Sequence, residues 1–146
     1  YKHYNDRQTY GGLESMKGVI LFKAHIVSDD KRRTILEIIN GQLSVKNMKI
    51  LKVKKGEGPQ LLGNHWHPES QEVMCILKGS CKRYIMENLD TGEKEEYCLE
   101  EGDVIIRTSR IVHAGIFDED CWVLDGATEV YMSADLNDIQ KVILTK

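Results

Sequence analysis

The sequence contains no apolar run long enough to cross a bilayer. Its longest runs, at residues 18–22 and 104–106, fall far short of the roughly 20 residues that a membrane-spanning helix needs. It also has no basic block with interleaved aromatic residues, and its formal net charge is -3 at a pI near 6.0. These absences argue against a membrane protein and against nucleic acid as a partner. No signal-type segment opens the chain, so we expect a soluble, cytoplasmic protein.

Cysteine is present, but not at a spacing typical of metal or redox motifs. The four cysteines form no Cys-x-x-Cys pair, and each lies in or beside an apolar segment: Cys75, Cys81, Cys98 and Cys121. We interpret them as reduced core residues, because a free thiol packs as a small hydrophobic group. A disulfide between Cys75 and Cys81 across the Gly79 turn stays open as the alternative.

The length of the chain limits the number of domains. With 146 residues and 41% apolar composition, the chain can form one domain with a substantial core but is short for two. We expect a flexible or strand-pairing segment at residues 1–16 and a single domain at residues 17–146. The chain begins with Tyr1 rather than Met, and the sequence leaves open whether it belongs to a longer polypeptide.

Short apolar segments separated by turn residues predict an all-β fold. Turn pairs such as Asn40-Gly41 and Asp125-Gly126 supply the backbone conformations that chain reversals need. Strands at this spacing indicate a sandwich or a barrel. The predicted strands span residues 18–27, 34–39, 43–53, 61–67, 72–77, 81–88, 95–99, 104–108, 112–117 and 122–125.

The end of the chain has a different periodicity. Residues 135–144 place apolar side chains such as Leu136 and Ile139 at helical spacing, and Ser133 or Asp135 is the candidate N-cap. We therefore predict a short C-terminal helix.

Four residues of metal-ligand type occupy spacings that can be interpreted. His65 and His67 lie two apart, so in a strand both side chains point to one face while Trp66 points to the other. Glu72 follows a proline that breaks the strand, so its carboxylate can enter from the neighbouring strand of an antiparallel pair. His113, in a later strand, would complete the set. The pattern predicts one site built from two distant segments.

These spacings resemble the two sequence motifs of the cupin superfamily. Residues 58–79 are similar to the first motif, and residues 102–117 are similar to the second. The resemblance implies a double-stranded β-helix, also called a jelly-roll barrel, with a site in its mouth. The chain departs from the second motif at positions that carry no metal ligand: Thr108, Arg110 and Phe117.

The four site residues predict a divalent metal ion. Three imidazoles and a carboxylate form a donor set that suits Zn, Fe, Mn, Ni or Cu, and the sequence does not discriminate among these metals. We expect the ligands to be His65, His67, Glu72 and His113. A metal-free hydrogen-bonded cluster stays open, since some cupins that act on nucleotide sugars use their barrel histidines directly as proton carriers.

A second resemblance concerns cupins that act on nucleotide sugars. Residues 29–38, 63–67 and 130–135 are similar to segments of 3,5-epimerases and 3,4-ketoisomerases of 4-keto-6-deoxyhexose nucleotides. The resemblance implies an epimerase or keto-isomerase of a dTDP- or UDP-linked sugar in surface-polysaccharide sugar synthesis. The alternatives are a metal-dependent dioxygenase or isomerase of another small molecule, and a non-catalytic cupin module for sensing or dimerisation.

The implied reaction assigns different roles to the same side chains. Moving a proton next to a ketone requires a base of near-neutral pKa and a group that stabilises the developing oxyanion. Without a metal, His65 and His67 would carry the protons. If they hold an ion, their lone pairs are committed, and Tyr84, Tyr131 or Glu72 must move the proton. The candidate catalytic residues are therefore His65, His67 and Tyr131.

Arg83 and Tyr84 are the candidate substrate-binding residues. A tight hairpin at Gly79 would place Arg83 opposite Ile76 and point it into the barrel, where a guanidinium needs an anionic partner. A bulge would instead rotate Arg83 towards solvent. Lysines at positions 49, 52, 54 and 55 could attract a diphosphate, although a charged strand edge that discourages aggregation accounts for them better.

The apolar strand predicted at residues 18–27 precedes the barrel proper. Such a segment commonly pairs with a sheet edge, either its own or that of a second subunit. We therefore predict a homodimer.

Overall fold

The structure, a computed structural model, describes residues 2–3, 13–130 and 139–140. These residues form β-strands joined by turns. In chain order the strands are β1 Lys2–His3, β2 Leu13–Met16, β3 Val19–Lys23, β4 His25–Asp29, β5 Thr34–Glu37, β6 Asn47–Val53, β7 Gln60–Trp66, β8 Glu72–Lys78, β9 Ser80–Asn88, β10 Lys94–Glu100, β11 Asp103–Arg107, β12 Ile111–Phe117, β13 Cys121–Ala127 and β14 Ile139–Gln140.

Two six-stranded sheets make up the barrel. The first sheet has the order β1-β10-β9-β12-β7-β14, and the second has the order β2-β3-β11-β8-β13-β6. Apart from the parallel pair β1 and β10, neighbouring strands in both sheets are antiparallel. Strands β4 and β5 form a separate two-stranded ribbon. The described residues include no helix that is long and apolar enough to cross a membrane.

The apolar core lies between the inner faces of the two sheets. Leu21, Ile76 and Ile105 of the second sheet pack in one cluster with Met86 and Leu99 of the first, and each is fully buried. Removing each of these side chains from water contributes about 1.5–3 kcal/mol.

The predicted all-β architecture is confirmed, because each predicted strand overlaps an observed one. The segment predicted at residues 18–27 is divided into β3 and β4, since the chain leaves the second sheet after Lys23 to form the ribbon. Most of the predicted C-terminal helix, residues 135–144, lies outside the described residues. Its two described residues, Ile139 and Gln140, pair as a strand with Trp66 and His65.

The hairpin predicted at Gly79 is wrong. Strands β8 and β9 belong to different sheets, so the Gly79 turn passes the chain across the barrel instead of pairing its two neighbours. Gly79 has φ +80, and a Cβ at this position would lie 2.3 Å from the carbonyl oxygen of Asp120. The crossing therefore requires glycine for its backbone conformation and for the close approach of Asp120.

We predict that Gly79→Ala lowers the free energy of unfolding by about 2–4 kcal/mol, since it combines a left-handed backbone with a backbone clash. Gly92→Ala is the matched control, because Gly92 has φ +76 but a Cβ added there would meet no other atom within 4 Å. It should cost only about 1 kcal/mol. Chemical denaturation of both variants measures the difference, and equal losses would contradict the role given to the Asp120 contact.

Candidate active site inside the barrel

A β-bulge in β7 turns His65 and His67 towards the barrel interior. His113 pairs with His65 but Ala114 pairs with Gly63, so Asn64 is an extra residue on β7. Gly63 and Asn64 have φ values of 81 and 63, which places both in the left-handed region. The extra residue reverses which side chains face inward.

Packing on both sides of the bulge confirms the reversal. Leu62, before the bulge, packs against the inner core. Trp66, after it, packs against the cluster on the outer face of the first sheet. His65 and His67 therefore share the inner face, as the spacing predicted, while Trp66 points away.

The three imidazoles converge inside the barrel. The ring centroids of His65 and His113 are 4.6 Å apart, those of His65 and His67 are 4.9 Å apart, and those of His67 and His113 are 5.7 Å apart. One nitrogen from each ring lies within 4.8 Å of the others. The structure thus brings together histidines that lie 48 positions apart in the chain, from His65 to His113.

Glu72 reaches the histidines from the opposite sheet. Its strand, β8, lies in the second sheet, so the expected entry from a strand neighbouring β7 is wrong. The carboxylate oxygen Oε1 lies 3.2 Å from Nε2 of His67 and 4.0 Å from Nε2 of His113. Glu72 is 5% exposed, and a buried carboxylate needs a partner of opposite charge.

Arg107 is that partner, and it did not figure in the sequence-based prediction. It pairs with Glu72 across β11 and β8. Its Nε and Nη2 lie 3.3 Å and 3.1 Å from Oε1 of Glu72, and the guanidinium is 4% exposed. The two opposite charges offset the cost of burying each other.

Tyr84 is the second partner of Arg107. Nη1 of Arg107 donates to the Tyr84 hydroxyl at 3.0 Å. Burial raises the pKa of this hydroxyl, so it stays protonated and can itself donate a hydrogen bond. The structure therefore places this predicted substrate-binding residue within the site.

Arg83 lies on the other face of β9. Leu99 pairs with Cys81 and Tyr97 pairs with Tyr84, so a bulge opposite Cys98 turns Tyr84 inward and Arg83 outward. Arg83 is 38% exposed on its side chain and pairs with Glu96, with Nη2 at 3.4 Å from Oε2. The structure therefore has the second of the two alternatives, a bulge that turns Arg83 towards solvent, and not the inward direction, which assumed a β8–β9 hairpin.

Asp125 adds a second buried carboxyl group to the site. Its Oδ1 lies 4.0 Å from Nη2 of Arg107 and, within residues 13–130, accepts no hydrogen bond despite being buried. Burial raises the pKa of Asp125 to about 6, although Arg107 opposes the shift. This carboxyl group therefore changes its charge close to neutral pH.

His113 is held neutral in one tautomer. Its Nδ1 lies 3.1 Å from the carbonyl oxygen of Ile111, which can only accept, so Nδ1 carries the proton. Burial, together with Arg107 and His65, lowers the pKa of His113 well below its ordinary value. Nε2 therefore presents a lone pair that can accept a proton or bind a metal ion.

A cavity of about 100 Å³ connects most of these groups. Its polar lining consists of His65, His113, Tyr84, Arg107 and Asp125. Apolar side chains, among them Leu51 and Leu62, form much of the remaining wall. A small apolar cavity with a few convergent polar groups is typical of a binding or catalytic site.

A metal ion fits the three imidazoles better than it fits the predicted set of four ligands. Three nitrogens from His65, His67 and His113 lie close enough together to be considered as one donor set. Oε1 of Glu72, by contrast, faces the Arg107 guanidinium. Glu72 as a fourth ligand stays a prediction.

Two charged residues of the site, Arg107 and Asp125, escaped the sequence analysis. Each ends or interrupts an otherwise apolar strand, as in Val104-Ile105-Ile106-Arg107, and this is the signal that could have singled them out. It was ambiguous, since a charged residue at a strand end is more often exposed. Tyr131, the remaining predicted catalytic residue, lies outside the described residues.

The architecture and the inward-facing polar cluster define a cupin-fold protein, a double-stranded β-helix with its site inside the barrel. No protein-family model matches the chain, and no curated protein matches it by sequence. Solved structures do match it.

The matching structures share most of the fold at low sequence identity. The 3,4-ketoisomerase QdtA of Thermoanaerobacterium thermosaccharolyticum, in a variant bound to TDP-4-keto-6-deoxyglucose, matches with a TM-score of 0.66 and 20% identity, over 86% of this chain and 89% of that one. A 3,4-ketoisomerase from Helicobacter canadensis matches with a TM-score of 0.68 and 16% identity, over 84% and 90%.

An epimerase matches to a similar degree. The dTDP-4-dehydrorhamnose 3,5-epimerase of Sulfolobus tokodaii has a TM-score of 0.68 and 19% identity, over 82% of this chain and 74% of that one. The cupin fold expected from the two motifs is therefore confirmed.

We predict that Asp125→Asn stabilises the protein at neutral pH but not in acid. The folded-state pKa of about 6 exceeds the ordinary value of 3.8, so the wild-type protein loses stability as pH rises through this interval. The asparagine variant avoids that loss, and its advantage should grow to about 1–3 kcal/mol above pH 7.

Urea denaturation at several pH values tests this expectation. Asp90→Asn is the control, because Asp90 is an exposed carboxylate that pairs with Arg110 at the surface. It should change stability by less than about 1 kcal/mol at any pH. A constant difference between Asp125→Asn and wild type from acid to neutral pH would refute the assigned titration.

Proposed function

We propose that this protein is an isomerase or epimerase that moves a proton next to the ketone of a nucleotide-linked 4-keto sugar. One observation carries the proposal: two of the three clustered imidazoles, His65 and His113, line one cavity together with the protonated Tyr84. Such a site offers proton acceptors together with a hydrogen-bond donor. The fold shared with sugar ketoisomerases and epimerases supports this reaction class.

The histidines are the proposed proton carriers. His65 and His113 line the cavity, and the Nε2 lone pair of His113 is held in place by the bond from Nδ1 to Ile111. His67 lies beside Glu72, which can orient its ring. An imidazole that removes a proton from the carbon next to the ketone can return it to the other face of that carbon, which is epimerisation. It can also return the proton to the former carbonyl carbon while a hydroxyl proton passes between the two oxygens, which is keto-isomerisation.

Tyr84 is the proposed donor to the sugar oxygen. Its hydroxyl accepts a hydrogen bond from Arg107, so its own proton is available for a ligand in the cavity. As charge develops on the carbonyl oxygen, that hydrogen bond becomes stronger. Tyr131 stays a prediction as a further catalytic residue.

The nucleotide is proposed to lie in a basic groove beside the cavity. This groove, of about 560 Å³, is lined by Lys52, Lys54 and Lys55 and shares Leu51 and Leu62 with the cavity wall. Its position allows one ligand to place a sugar in the cavity and a diphosphate among the lysines. This continuity supports a nucleotide sugar over a free sugar.

The proposal also covers the location of the enzyme in the cell, its biosynthetic role and its oligomeric state. We place the enzyme in the cytoplasm, in the synthesis of sugars for surface polysaccharides, and we propose a homodimer. The ribbon supports the dimer, since Ile26 and Leu36 face each other across β4 and β5 and are 57% and 50% exposed. Paired apolar side chains of this kind are typical of a surface that a partner covers.

A second candidate function is favoured by the convergence of the three imidazoles alone. A divalent ion held by His65, His67 and His113 would supply a Lewis acid for a dioxygenase or another isomerase. Oxygen uptake with candidate substrates tests the oxygenase. A non-catalytic sensing or dimerisation module would bind a ligand without converting it.

We predict that dTDP-4-keto-6-deoxyglucose raises the melting temperature and is converted to an isomer or epimer. Binding to the folded state alone stabilises it, and proton NMR in D₂O detects both product and exchange at the carbon next to the ketone. His65→Asn and His67→Asn should lower kcat by about 100-fold or more while binding of dTDP persists. Binding without exchange would favour the module, and absence of binding to any nucleotide would refute the proposal.

We also predict that Lys54→Ala combined with Lys55→Ala weakens dTDP binding by about tenfold, since charge-assisted bonds to phosphate are lost. Calorimetric titration measures the change. Lys31→Ala is the matched control, because Lys31 is an exposed lysine in the turn between β4 and β5. Equal affinities for all three proteins would place the diphosphate elsewhere.

A further inference from the structure

Arg107 occupies an unusual position for a charged residue. It lies on the inner face of the second sheet, where its strand neighbour at i−2, Ile105, is fully buried core. Its guanidinium lies in the barrel at 4% exposure. A cation placed there carries a large desolvation cost unless the site uses or neutralises its charge.

The contacts of Arg107 connect it to the groups that face the cavity. Nε donates to Oε1 of Glu72, Nη2 lies 3.1 Å from the same oxygen as an ion pair, and Nη1 donates to the hydroxyl of Tyr84. The Glu72 oxygen that it holds is the same one that lies 3.2 Å from His67. The guanidinium is therefore one hydrogen-bonded step from the histidine cluster.

The position of this charge bears on metal binding. The carboxylate expected to join three imidazoles around an ion is instead bonded to a guanidinium, and a divalent ion beside it would meet a fixed positive charge. An arginine cannot lose its proton to make room for the ion. The positive charge of Arg107 beside Glu72 therefore disfavours a metal centre with three histidines and Glu72 as ligands.

We propose that Arg107 is the resident cation of this site and takes the place of a metal ion bound by three histidines and Glu72. In the reaction, a role that rests on the proposed function, it stabilises the negative charge on the sugar oxygen. An imidazole takes the proton, the C–H electrons form the C=C bond, and the carbonyl electrons move to the oxygen. The imidazole then returns the proton to the former carbonyl carbon, while the hydroxyl group on the first carbon passes its own proton to the oxyanion and becomes the new ketone. No oxidant or reductant is needed.

The imidazole base and the cation of this proposed step line the same cavity. His65 and His113 line it from the first sheet, and Arg107 lines it from the second sheet. A ketone between them would have a base on one side and a cation on the other. Tyr84, bonded to Arg107, adds a neutral donor to the cationic side.

Metal titration tests whether Arg107 takes the place of a metal ion, and it needs no substrate. The proteins are wild type, Arg107→Met, Arg107→Lys and the double variant Arg107→Met with Glu72→Gln, each titrated with Co²⁺ and followed by calorimetry, visible absorption and melting temperature. We expect Arg107→Met to bind one Co²⁺ about tenfold or more tightly than wild type, because Glu72 becomes available as a ligand. The double variant should lose that gain, and Arg107→Lys should resemble wild type.

Two outcomes overturn the proposal. One is an Arg107→Met protein that binds Co²⁺ no more tightly than wild type, and the other is a double variant that keeps the full gain of Arg107→Met. If Arg107→Met does not fold alone, it is refolded with Co²⁺ present, and failure to recover a Co²⁺-bound protein counts against the proposal. None of these results depends on the sugar.

A separate measurement tests the role in the reaction. Arg107→Met should lower kcat by about 100-fold or more, with Arg107→Lys partly restoring it, while the Kd for dTDP stays within about twofold of wild type. An unchanged kcat would refute the role in catalysis, even where the metal titration succeeds. Absence of turnover in the wild type would refute the proposed function. It would not affect the proposal that Arg107 takes the place of a metal ion.

Discussion

Two β-bulges in the first sheet decide which side chains the barrel encloses. The bulge at Asn64 places His65 and His67 on the inner face, and the bulge opposite Cys98 does the same for Tyr84. Each adds one residue, and one residue is enough to exchange the two faces of a strand. The site therefore depends on two local irregularities of backbone pairing. Without the two bulges, Asn64 would face inward in place of His65, and Arg83 would face inward in place of Tyr84.

The charged part of the site is held by the opposite sheet. Glu72, Arg107 and Asp125 come from β8, β11 and β13, three neighbouring strands of the second sheet. Glu72 and Arg107 face each other directly across two of these strands, so their separation is fixed by the hydrogen-bonded backbone. The histidines and the ion pair thus meet as the two sheets close over the core. Burial disfavours the charged form of each group, which raises the pKa of Asp125 against the effect of Arg107 and, together with Arg107, lowers the pKa of His113.

The sequence predicted the strands and the histidine cluster but not the path of the chain between them. The alternation of His65, Trp66 and His67 was informative, because it depends only on the two-residue period of a strand. The expected Gly79 hairpin failed, because a glycine turn permits a reversal without specifying which strand will pair. Arg83 and Tyr84 were both named, yet only Tyr84 faces the site. Their directions depend on a bulge that no local sequence pattern marked.

The sequence by itself determined the all-β class, the strand positions and the three imidazoles that could share a site, since periodicity, turn residues and motif spacing are local properties of the chain. Only the tertiary structure decided that Glu72 arrives from the opposite sheet and that Arg107 and Asp125 accompany it. The physical reason is that a charged side chain at a strand end can face either solvent or the interior. Which one it faces is set by pairing between distant strands, and that pairing is a property of the folded barrel as a whole.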